Sequence, residues 1–406
     1  MPSDKLQCKM SSQRKKAILY LDIEGGFGGS SRSLFYLIEA LDRERFVPIV
    51  LSRQPGPVQE RYSRLGVNHE VFHLPAFRPA VRNNWIAFGM FLLEHLRVSG
   101  LKRLLEHFVE EKDLALVHVN HEGLALLGRW ISRKFGLPWI CHIRTRMHPS
   151  FWSRYVYRTI DDYADRVVFI TENEEQHFAR VLNGTWHREK GVVIHNSLGS
   201  FFPGVEPMPE FTKPADAFRV ISLSNFSRNR GADQVVRVAH ALRKRGREDF
   251  TFFLCGRPAS KRLRPWTRDR FFANIVQEIR NLHLEQMVRL PGYVDYPERA
   301  LVGCHALVQT RRRACPWGRE IMEAMACGLP VVAVGRYQGF VEHGVNGFLV
   351  DTFDPEAIAD HLMELKDNPS LLGFMSEANK AKASRMFDGR RAAARVEEIY
   401  LEVLNR

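Results

Sequence analysis

The sequence predicts an α/β protein built from two doubly wound parallel domains. The first observation is length, since 406 residues exceed one ordinary domain and suit two of about 150 to 200 residues each. The second is an alternation, repeated in both halves, of short apolar runs with segments of helical period, as in parallel βαβ units. The third is a proline-rich segment without a clear period at 201–216, which separates the two sets.

Apolar runs bounded by turn residues predict the strands, and the segments of helical period between them predict the helices. In the first half the predicted strands are 17–23, 47–52, 114–119, 139–143, 166–170 and 191–194, and the predicted helices are 31–41, 58–65, 84–111, 124–135 and 172–182. In the second half the strands are 219–224, 250–255, 287–290, 306–309 and 330–334, and the helices are 232–245, 271–282, 319–326 and 389–404.

These elements divide the chain into five parts. They are a flexible N-terminal tail (1–16), a first domain (17–200), a linker (201–216), a second domain (217–385) and a final helical segment (386–406). Ligands of doubly wound domains bind outside the carboxyl ends of the strands. We therefore expect the active site in a cleft between the two sheets.

The charge balance limits the partners. There are 59 Lys and Arg against 46 Asp and Glu, a net charge of +13, which favours anionic partners. The sequence contains no zinc-ligand spacing and no nucleic-acid-binding motif, so phosphorylated substrates and anionic lipids rank above nucleic acid, which we do not expect as a partner. The six cysteines lie far apart, which favours a reducing cytoplasm.

The N-terminus is polar, so we expect no signal peptide. The longest apolar run, at 85–93, is far shorter than the roughly 20 residues of a membrane span. Two interpretations of 77–98 stay open, because its aromatic and aliphatic residues lie near Arg78, Arg82 and Arg97. It is a core helix, which we favour, or a peripheral contact with the anionic inner face of the plasma membrane.

The most informative stretch is 313–332, R-A-C-P-W-G-R-E-I-M-E-A-M-A-C-G-L-P-V-V. It predicts a loop, a short helix and a strand. The first turn of a helix has unpaired N–H groups that bind phosphate oxygens, here those near Gly318, Arg319 and Glu320. Glu323 lies further along, on the inner face, where its carboxylate can accept hydrogen bonds from the two ribose hydroxyls.

This stretch resembles the C-terminal signature of the glycosyltransferase group 1 superfamily, the retaining family 4 enzymes. The resemblance implies the GT-B fold, in which two Rossmann-like domains face each other across a cleft and the C-terminal helix crosses back to the first. The signature carries two acids eight positions apart. Glu323 holds the second place, which contacts the nucleoside. Cys315 holds the first, which contacts the transferred sugar, and a thiol cannot offer a carboxylate's acceptor pair.

The segment 224–233, S-N-F-S-R-N-R-G-A-D, resembles the superfamily's phosphate-binding loop. Arg230-Gly231 holds the usual Lys-Gly place, Asn225 replaces the usual first cation, and Arg228 is the candidate to compensate. The resemblance makes Arg230 and Arg228 catalytic, because cations here stabilise the charge that develops on the departing diphosphate. The alternative is a solvated basic loop.

Three further motifs supply candidates. The loop 290–295, L-P-G-Y-V-D, resembles the nucleobase loop, so Tyr293 joins the donor-binding residues, as does Trp317 of the signature. The glycine-rich turn G-G-F-G-G-S at 25–30 lets a backbone approach a ligand, with Gly28 and Gly29 as the facing pair. A flexible turn that binds nothing is the alternative.

The third motif is W-I-C-H-I-R-T-R-M-H-P at 139–149. In members of the superfamily, a His or an Arg just after this strand often projects towards the transferred sugar. His142 is the catalytic candidate, with His118 as a further one. The acceptor-side candidates are Arg144, Arg146, His148 and His121. The two arginines are expected to face a phosphate of a lipid-linked acceptor, although a structural role is the commoner one for any single histidine.

The resemblance implies a retaining glycosyltransferase that needs no metal or other cofactor. A nucleotide-diphosphate sugar is its co-substrate, and a glycan or lipid-linked glycan of cell-surface polysaccharide biosynthesis is its acceptor. Cys315 and Asn225, at usually charged places, keep open a non-catalytic nucleotide- or anion-binding protein on this scaffold. A nucleotide-sugar epimerase is the second alternative. The sequence does not predict the base, the sugar, the linkage or the oligomeric state.

Overall fold

The computed structural model describes residues 15–26, 28–77, 84–95, 99–199, 205–258, 270–313 and 315–406. The chain forms two compact units, Met1–Gly199 with Gly389–Arg406, and Ser200–Asp388. Each unit contains one parallel sheet flanked by helices. The predicted α/β class with two doubly wound domains is therefore confirmed.

The first unit contains a seven-stranded sheet of order β3-β2-β1-β4-β5-β6-β7. Its strands are β1 (Lys16–Asp22), β2 (Phe46–Ser52), β3 (Asn68–Val71), β4 (Leu114–Val119), β5 (Trp139–Ile143), β6 (Arg166–Phe169) and β7 (Gly191–Val193). Its helices up to β7 are α1 (Gly29–Glu39), α2 (Pro57–Arg64), α3 (Asn84–His95), α4 (Ser99–Lys112), α5 (Ala125–Phe135), α6 (Phe151–Tyr163) and α7 (Glu172–Val181). The central strands are mostly apolar because helices cover both faces of the sheet.

The first unit differs from the sequence prediction in three places. Strand β3 was missed because it lies at the edge and is polar and exposed, so it has no apolar run. Helix α6 was missed although the hydroxyl of Ser150 caps it by accepting from the Ser153 N–H at 3.1 Å. The segment predicted as one helix, 84–111, contains both α3 and α4, and 96–98 lie outside the described residues.

The second unit contains a six-stranded sheet of order β10-β9-β8-β11-β12-β13. Its strands are β8 (Phe218–Leu223), β9 (Phe250–Cys255), β10 (Val288–Gly292), β11 (Ala306–Gln309), β12 (Val331–Val334) and β13 (Gly347–Val350). Its helices are α8 (Ala232–Lys244), α9 (Arg270–Asn281), α10 (Pro297–Leu301), α11 (Arg319–Ala326), α12 (Pro355–Asp367) and α13 (Pro369–Met386). Within the predicted linker, residues 205–216 are described, and Phe211 is buried with its ring centroid 4.9 Å from that of Phe253.

The final helix, α14 (Gly389–Leu404), belongs to the first unit. Val396 and Tyr400 are buried in the same apolar cluster as Ile18 and Tyr20 of β1. The Glu397 carboxylate also accepts a hydrogen bond from the Asp42 N–H at 2.8 Å. Apolar burial and this polar contact together hold the end of the chain on the first unit.

Each sheet has one point where the strand order reverses. It lies between β1 and β4 in the first unit and between β8 and β11 in the second. The loops that leave the carboxyl ends of such neighbouring strands diverge to opposite faces and leave a crevice, which is where doubly wound domains bind ligands. The two switch points therefore locate the candidate site residues.

Candidate functional site

The loop between β8 and α8 carries two predicted catalytic arginines. It ends at Gly231, whose φ of 77° is in the left-handed region. A Cβ at Gly231 would lie 1.8 Å from the Thr310 carbonyl oxygen, and the Thr310 hydroxyl donates to the Gly231 carbonyl at 2.8 Å. The loop is therefore pressed against the end of β11, and only glycine fits there.

Arg230 and Arg228 lie in a single 3₁₀ turn just before this glycine. Both side chains reach solvent. Partial burial, and then the positive charge of nearby Arg311, lower the pKa of the Arg230 guanidinium. The predicted diphosphate cation thus belongs to a local excess of positive charge at the β8/β11 switch point.

Helix α11 begins at the same switch point. Its N-cap is Gly318, with a φ of 150°. A Cβ at Gly318 would lie 2.9 Å from a carboxylate oxygen of Glu320 and 3.5 Å from Nη2 of Arg311. The start of α11 is therefore a crowded turn that requires glycine, with a carboxylate and a guanidinium packed beside its backbone.

Glu320 and Glu323 have different surroundings. The Glu320 carboxylate forms an ion pair with Arg311 and accepts a hydrogen bond from the Gln309 amide at 2.9 Å. Burial alone would raise the pKa of Glu320, but Arg311 and Arg230 outweigh burial and lower it. Glu323 is 4% exposed, and its carboxylate lies 3.1 Å from Nε of Arg319. The two acids point to different partners, as the helical period predicts.

Two other predicted donor-binding residues contact Arg257. The side-chain oxygen of Asn225 accepts from the Arg257 N–H at 3.1 Å. The Arg257 guanidinium lies 3.9 Å from the centroid of the Tyr293 ring, a cation–π contact. Arg257, which sequence reasoning missed, therefore links the loops after β8 and β10.

The remaining donor-side candidates lie in the loop before α11. Trp317 is 7% exposed and packs edge-on against Tyr337, with ring centroids 5.3 Å apart. Cys315 is half-buried and is not part of a disulfide bond. Its sulfur lies close enough to Arg230 to act on that guanidinium electrostatically. The structure thus gathers Cys315, Gly318, Glu320 and Arg230 at one end of the second sheet.

In the first unit, the β1–α1 loop has a glycine requirement at a position that the sequence analysis did not single out. A Cβ at Gly25 would lie 1.7 Å from the Gln54 carbonyl oxygen. Gly28 is the N-cap of α1, and a Cβ at Gly29 would have no described atom within 4 Å. Close packing therefore requires glycine at position 25, whereas no described atom packs against the side-chain position of Gly29.

Arg144, predicted to face an acceptor phosphate, is 9% exposed and is enclosed by protein groups. Its guanidinium donates to the side-chain oxygen of Asn120 at 2.6 Å, to the Asn120 carbonyl at 3.3 Å and to the side-chain oxygen of Asn196. Its backbone N–H donates to Glu122 at 2.9 Å. Arg144 therefore ties the ends of β4, β5 and β7 together.

A chain of aromatic polar groups extends from Arg144 into the core. Nη2 of Arg144 lies 3.2 Å from Nδ1 of His142, that nitrogen lies 3.2 Å from Nε2 of His118, and Nδ1 of His118 lies 2.6 Å from the Tyr400 hydroxyl. A guanidinium only donates, so His142 accepts through Nδ1 and His118 donates to it through Nε2. The Tyr400 hydroxyl then donates to His118, and it lies 2.9 Å from that of Tyr20.

The two histidines of this hydrogen-bonded row, His118 and His142, are neutral. Burial, and then the charge of Arg144, lower the pKa of His118 to about 3. The same two causes, followed by His118, hold the pKa of His142 well below its usual value. Nε2 of His142 is buried and has no hydrogen-bond partner among the described residues. His142 can therefore offer an N–H donor, rather than a positive charge, to a ligand.

Asp22 is a buried acid at the β1/β4 switch point, and the sequence analysis did not identify it. It ends β1, is fully buried, and accepts from the Asn120 amide at 3.2 Å. Burial raises the pKa of Asp22 to about 6. An acid at the end of the first strand, three residues before the glycine-rich turn, was the signal that could have identified it.

The other acceptor-side candidates lie in the loops after β4 and β5. Nδ1 of His121 accepts from the Gly123 N–H at 3.0 Å and so caps a 3₁₀ turn. Arg146 is half-buried, whereas His148 is exposed, with Nδ1 3.0 Å from the Pro149 carbonyl oxygen. His121 therefore has a local structural role, and Arg146 and His148 remain predictions for the acceptor.

Helix α3 has one side in the core and another side exposed. Phe91 is buried in the core of the first unit, but Trp85 is 76% exposed, Leu93 60% and Met90 55%. Arg78, Arg82 and Arg97, which flank this helix in the sequence, lie outside the described residues. Among the described helices, none is long and apolar enough to cross a membrane.

One group in the described part of the chain has a spacing suited to a metal ion, namely Asp161, Asp162 and His187. Asp161 already accepts from the His187 N–H at 2.8 Å and pairs with Arg158 at 3.3 Å. The cation Arg158 disfavours a metal there. Activity without a metal or cofactor stays a prediction.

Comparisons with known proteins identify the family and the fold. Residues 28–197 match the family model for a glycosyl transferase 4-like domain, and residues 206–382 match that for glycosyl transferases group 1. The D-inositol 3-phosphate glycosyltransferase of Thermobispora bispora is 29% identical over 255 residues, 60% of this chain and 58% of that protein. The GDP-mannose-dependent alpha-(1-6)-phosphatidylinositol monomannoside mannosyltransferase of Mycolicibacterium smegmatis is 27% identical over 328 residues, 76% of this chain and 81% of that protein.

Solved structures show the same fold. Anabaena Alr3699/HepE in complex with UDP-glucose has a TM-score of 0.75 at 20% identity, covering 95% of this chain and 99% of that chain. Sucrose-phosphate synthase from Thermosynechococcus elongatus has a TM-score of 0.74 at 18% identity, covering 96% and 100%. The chain matches less than two thirds of the Thermobispora relative's length, but the two family models together cover most of its own. The chain therefore belongs to the group 1 glycosyltransferase superfamily and has its two-domain GT-B fold.

Proposed function

We propose that the protein is a retaining glycosyltransferase that uses a nucleotide-diphosphate sugar as donor and a glycan or lipid-linked glycan as acceptor. The observation that carries the proposal is the group of cations at the β8/β11 switch point, together with the buried carboxylate of Glu323 on α11, the helix that begins there. The relatives named above are glycosyltransferases, and HepE was solved with UDP-glucose. These names support the class of reaction and of donor.

On the donor side, the residues have separate roles in this proposal. Negative charge increases on the diphosphate as its bond to the sugar breaks, and Arg230 and Arg228 stabilise that charge more in the transition state than in the ground state. The start of α11 at Gly318 adds backbone N–H groups and the positive end of the helix dipole. Glu323 accepts hydrogen bonds from the ribose. Arginine supplies the positive charge, so the reaction needs no metal.

The resemblance to family 4 enzymes supports retention. The acceptor hydroxyl attacks the anomeric carbon from the face that the diphosphate leaves, and a phosphate oxygen takes the hydroxyl proton. One carbon–oxygen bond breaks and one forms, so the products are the glycoside and the protonated nucleoside diphosphate. In the first unit, the Nε2–H of His142 is a neutral donor for a sugar hydroxyl.

We further propose that the acceptor is presented at the inner face of the plasma membrane, in cell-surface polysaccharide biosynthesis by a cytoplasmic, peripheral enzyme. Exposed aromatic side chains support this, since Trp85 on α3 and Phe151 at the start of α6 are 76% and 73% exposed. Both rings lie close to the ring of Trp152, at 5.2 and 5.4 Å. Such a surface, on a chain of net charge +13, suits an anionic lipid interface.

The test is transfer of sugar from a panel of UDP- and GDP-sugars to lipid-diphosphate and glycan acceptors, with the anomeric configuration of the product determined by NMR. Arg230→Ala and Glu323→Ala are each expected to lower kcat/KM by about 100-fold or more. The matched control is Arg336→Ala on the same unit, an exposed residue paired with Asp351 at 2.9 Å. If neither site variant changes turnover, the site assignment is wrong.

The same assay separates the alternatives. An epimerase converts the donor without an acceptor. A non-catalytic binder takes up the nucleotide and yields no product with any donor and acceptor pair. An inverted product would contradict retention but leave the transferase class standing.

A further inference from the structure

Arg311 is the first residue after Thr310 at the end of β11, and its side chain is directed to the start of α11. It is 17% exposed, its Nη2 lies beside Gly318, and it is paired with Glu320. Arg230 lies within electrostatic reach of both partners. Two guanidinium groups therefore share one carboxylate at this helix N-terminus.

This arrangement is unfavourable without an anion. The N-terminal end of a helix carries a partial positive charge, so a cation there is destabilised unless a negative group lies beside it. In the structure that negative group is the Glu320 carboxylate, which the Gln309 amide holds at 2.9 Å. Glu320 thus occupies the position that suits a ligand anion.

Two buried atoms in this cluster have no hydrogen-bond partner among the described residues, namely Nε of Arg311 and the side-chain oxygen of Gln309. Gln309 is 4% exposed. An unpaired buried polar group is costly, and native structures rarely keep one without a ligand or water. Nε of Arg311 lacks an acceptor, and the side-chain oxygen of Gln309 lacks a donor. A molecule that carries phosphate oxygens and hydroxyl groups offers both.

We propose that Arg311 is a further phosphate-binding residue of the donor site and that Glu320 holds its guanidinium in place by occupying the anion position until a nucleoside diphosphate displaces it. The inference rests on the proposed function. Binding exchanges one ion pair for another. In the free protein the Glu320 carboxylate accepts from the N–H groups of Arg311, and in the complex the phosphate oxygens accept from them instead. No covalent bond changes.

This exchange predicts that substitutions of Glu320 and Arg311 change nucleoside diphosphate affinity in opposite directions. Glu320→Gln keeps the shape and the contact with Gln309 but removes a negative charge that competes with the diphosphate. We expect nucleoside diphosphate affinity to rise by about five- to tenfold. Arg311→Ala removes a charge-assisted contact, and we expect affinity to fall by about 10- to 100-fold.

The experiment is calorimetric titration of the full chain with UDP and with GDP, for the wild type and each variant. The control is Glu377→Gln on α13, an exposed acid paired with Lys380 at 2.8 Å, which should bind as the wild type does. Tighter binding by Glu320→Gln together with weaker binding by Arg311→Ala supports the proposal. Equal or weaker binding by a folded Glu320→Gln, or unchanged binding by Arg311→Ala, overturns it.

Two outcomes need separate treatment. If Glu320→Gln does not fold, Arg311→Ala and Arg311→Lys decide, because a phosphate contact predicts that lysine restores part of the lost affinity while alanine does not. If the wild type binds neither UDP nor GDP, the same titration is carried out with ADP, CDP and dTDP, and binding of none of the five contradicts the proposed function and this inference with it. Failure of the variants alone leaves the proposed function standing.

Discussion

The two switch points have the same topology but opposite chemistry. Between β1 and β4, the Arg144 guanidinium is enclosed and donates to Asn120 and Asn196. Between β8 and β11, Arg230 reaches solvent and Arg311 shares the single carboxylate of Glu320. An arginine at the carboxyl end of a parallel strand therefore does not by itself indicate a ligand. The supply of protein acceptors around it decides whether it holds the fold together or is available to an anion.

This difference predicts where a substitution is felt. Removing one member of an enclosed network leaves buried partners unsatisfied, so the cost appears as lost stability. Removing a cation from a solvent-accessible cluster leaves fewer buried groups without hydrogen bonds. The substitution should therefore lower nucleotide affinity rather than stability. Stability and nucleotide affinity should therefore respond to different residues in the two units.

The largest effect is expected from Arg144→Ala. It leaves the Asn120 and Asn196 oxygens without the donor that Arg144 supplies and removes one of the two donors to Nδ1 of His142, so the first unit should lose about 3–5 kcal/mol of unfolding free energy. Urea unfolding followed by fluorescence measures it, because Trp139 is buried in this unit. Arg230→Ala is the comparison and should change stability by about 0.5 kcal/mol or less. Similar losses for both variants would remove the contrast between the two sites.

The second effect is a pH dependence caused by Asp22. Its folded-state pKa is raised from 3.8 to about 6, so the native state binds this proton more tightly than the unfolded state does. The stabilisation from the protonated acid is fully present below about pH 4 and is lost as the pH rises through 6. By linkage, the loss amounts to about 3 kcal/mol. Asn120, Ser31 and Glu24 are the polar groups that act on this carboxyl.

Asp22→Asn should remove most of that dependence and stabilise the first unit at pH 7. The amide keeps the oxygen that accepts from Asn120 and carries no charge. Unfolding free energies at pH 4.5 and pH 7.5 measure the difference, with exposed Asp351→Asn as the control. A wild type whose stability does not fall between these pH values would show that Asp22 is already ionised at the lower one.

The sequence predicts eleven of the thirteen described strands, because buried parallel strands are continuous apolar runs, and it misses two edge strands, β3 and β13. It predicts Arg230 and Gly231 because they belong to one short motif. It does not predict Arg311, since three arginines in a row at 311–313 look alike, and only the fold shows which one turns towards α11. Nor does it predict the contact of Tyr400 with His118, because those residues lie 282 positions apart and long-range pairing leaves no local pattern.

A pair of glycines sharpens the comparison between the two switch-point loops. Gly231→Ala places a methyl group against the Thr310 carbonyl at a φ of 77°, so the loop must shift. We expect a loss of about 2 kcal/mol and weaker nucleotide binding. Gly29→Ala meets no described atom and favours the helix, so stability should be unchanged or slightly higher.

Substrate kinetics give the second half of this test. If Gly29 faces a ligand, Gly29→Ala should raise KM for the donor or the acceptor while the melting temperature stays constant. Unchanged KM values would remove Gly29 from the ligand-facing residues. An unchanged melting temperature and affinity for Gly231→Ala would contradict the close approach of that loop to β11.

The smallest effect is expected from Tyr400→Phe, which tests how far the enclosed network extends. Phenylalanine keeps the edge contact with Phe46 but removes the hydroxyl that lies 2.6 Å from Nδ1 of His118. A buried acceptor then loses its donor, and we expect a loss of about 1–2 kcal/mol of unfolding free energy, with Tyr155→Phe on the exposed side of α6 as control.

Nitrogen NMR of the imidazoles adds a readout that a loss of packing would not change. Because Arg144 fixes the direction of donation, His118 should keep its proton on Nε2 while the signal of its unprotonated Nδ1 shifts. A proton on Nδ1 in the wild type would reverse the chain and show that His142, not His118, is the donor between the two rings.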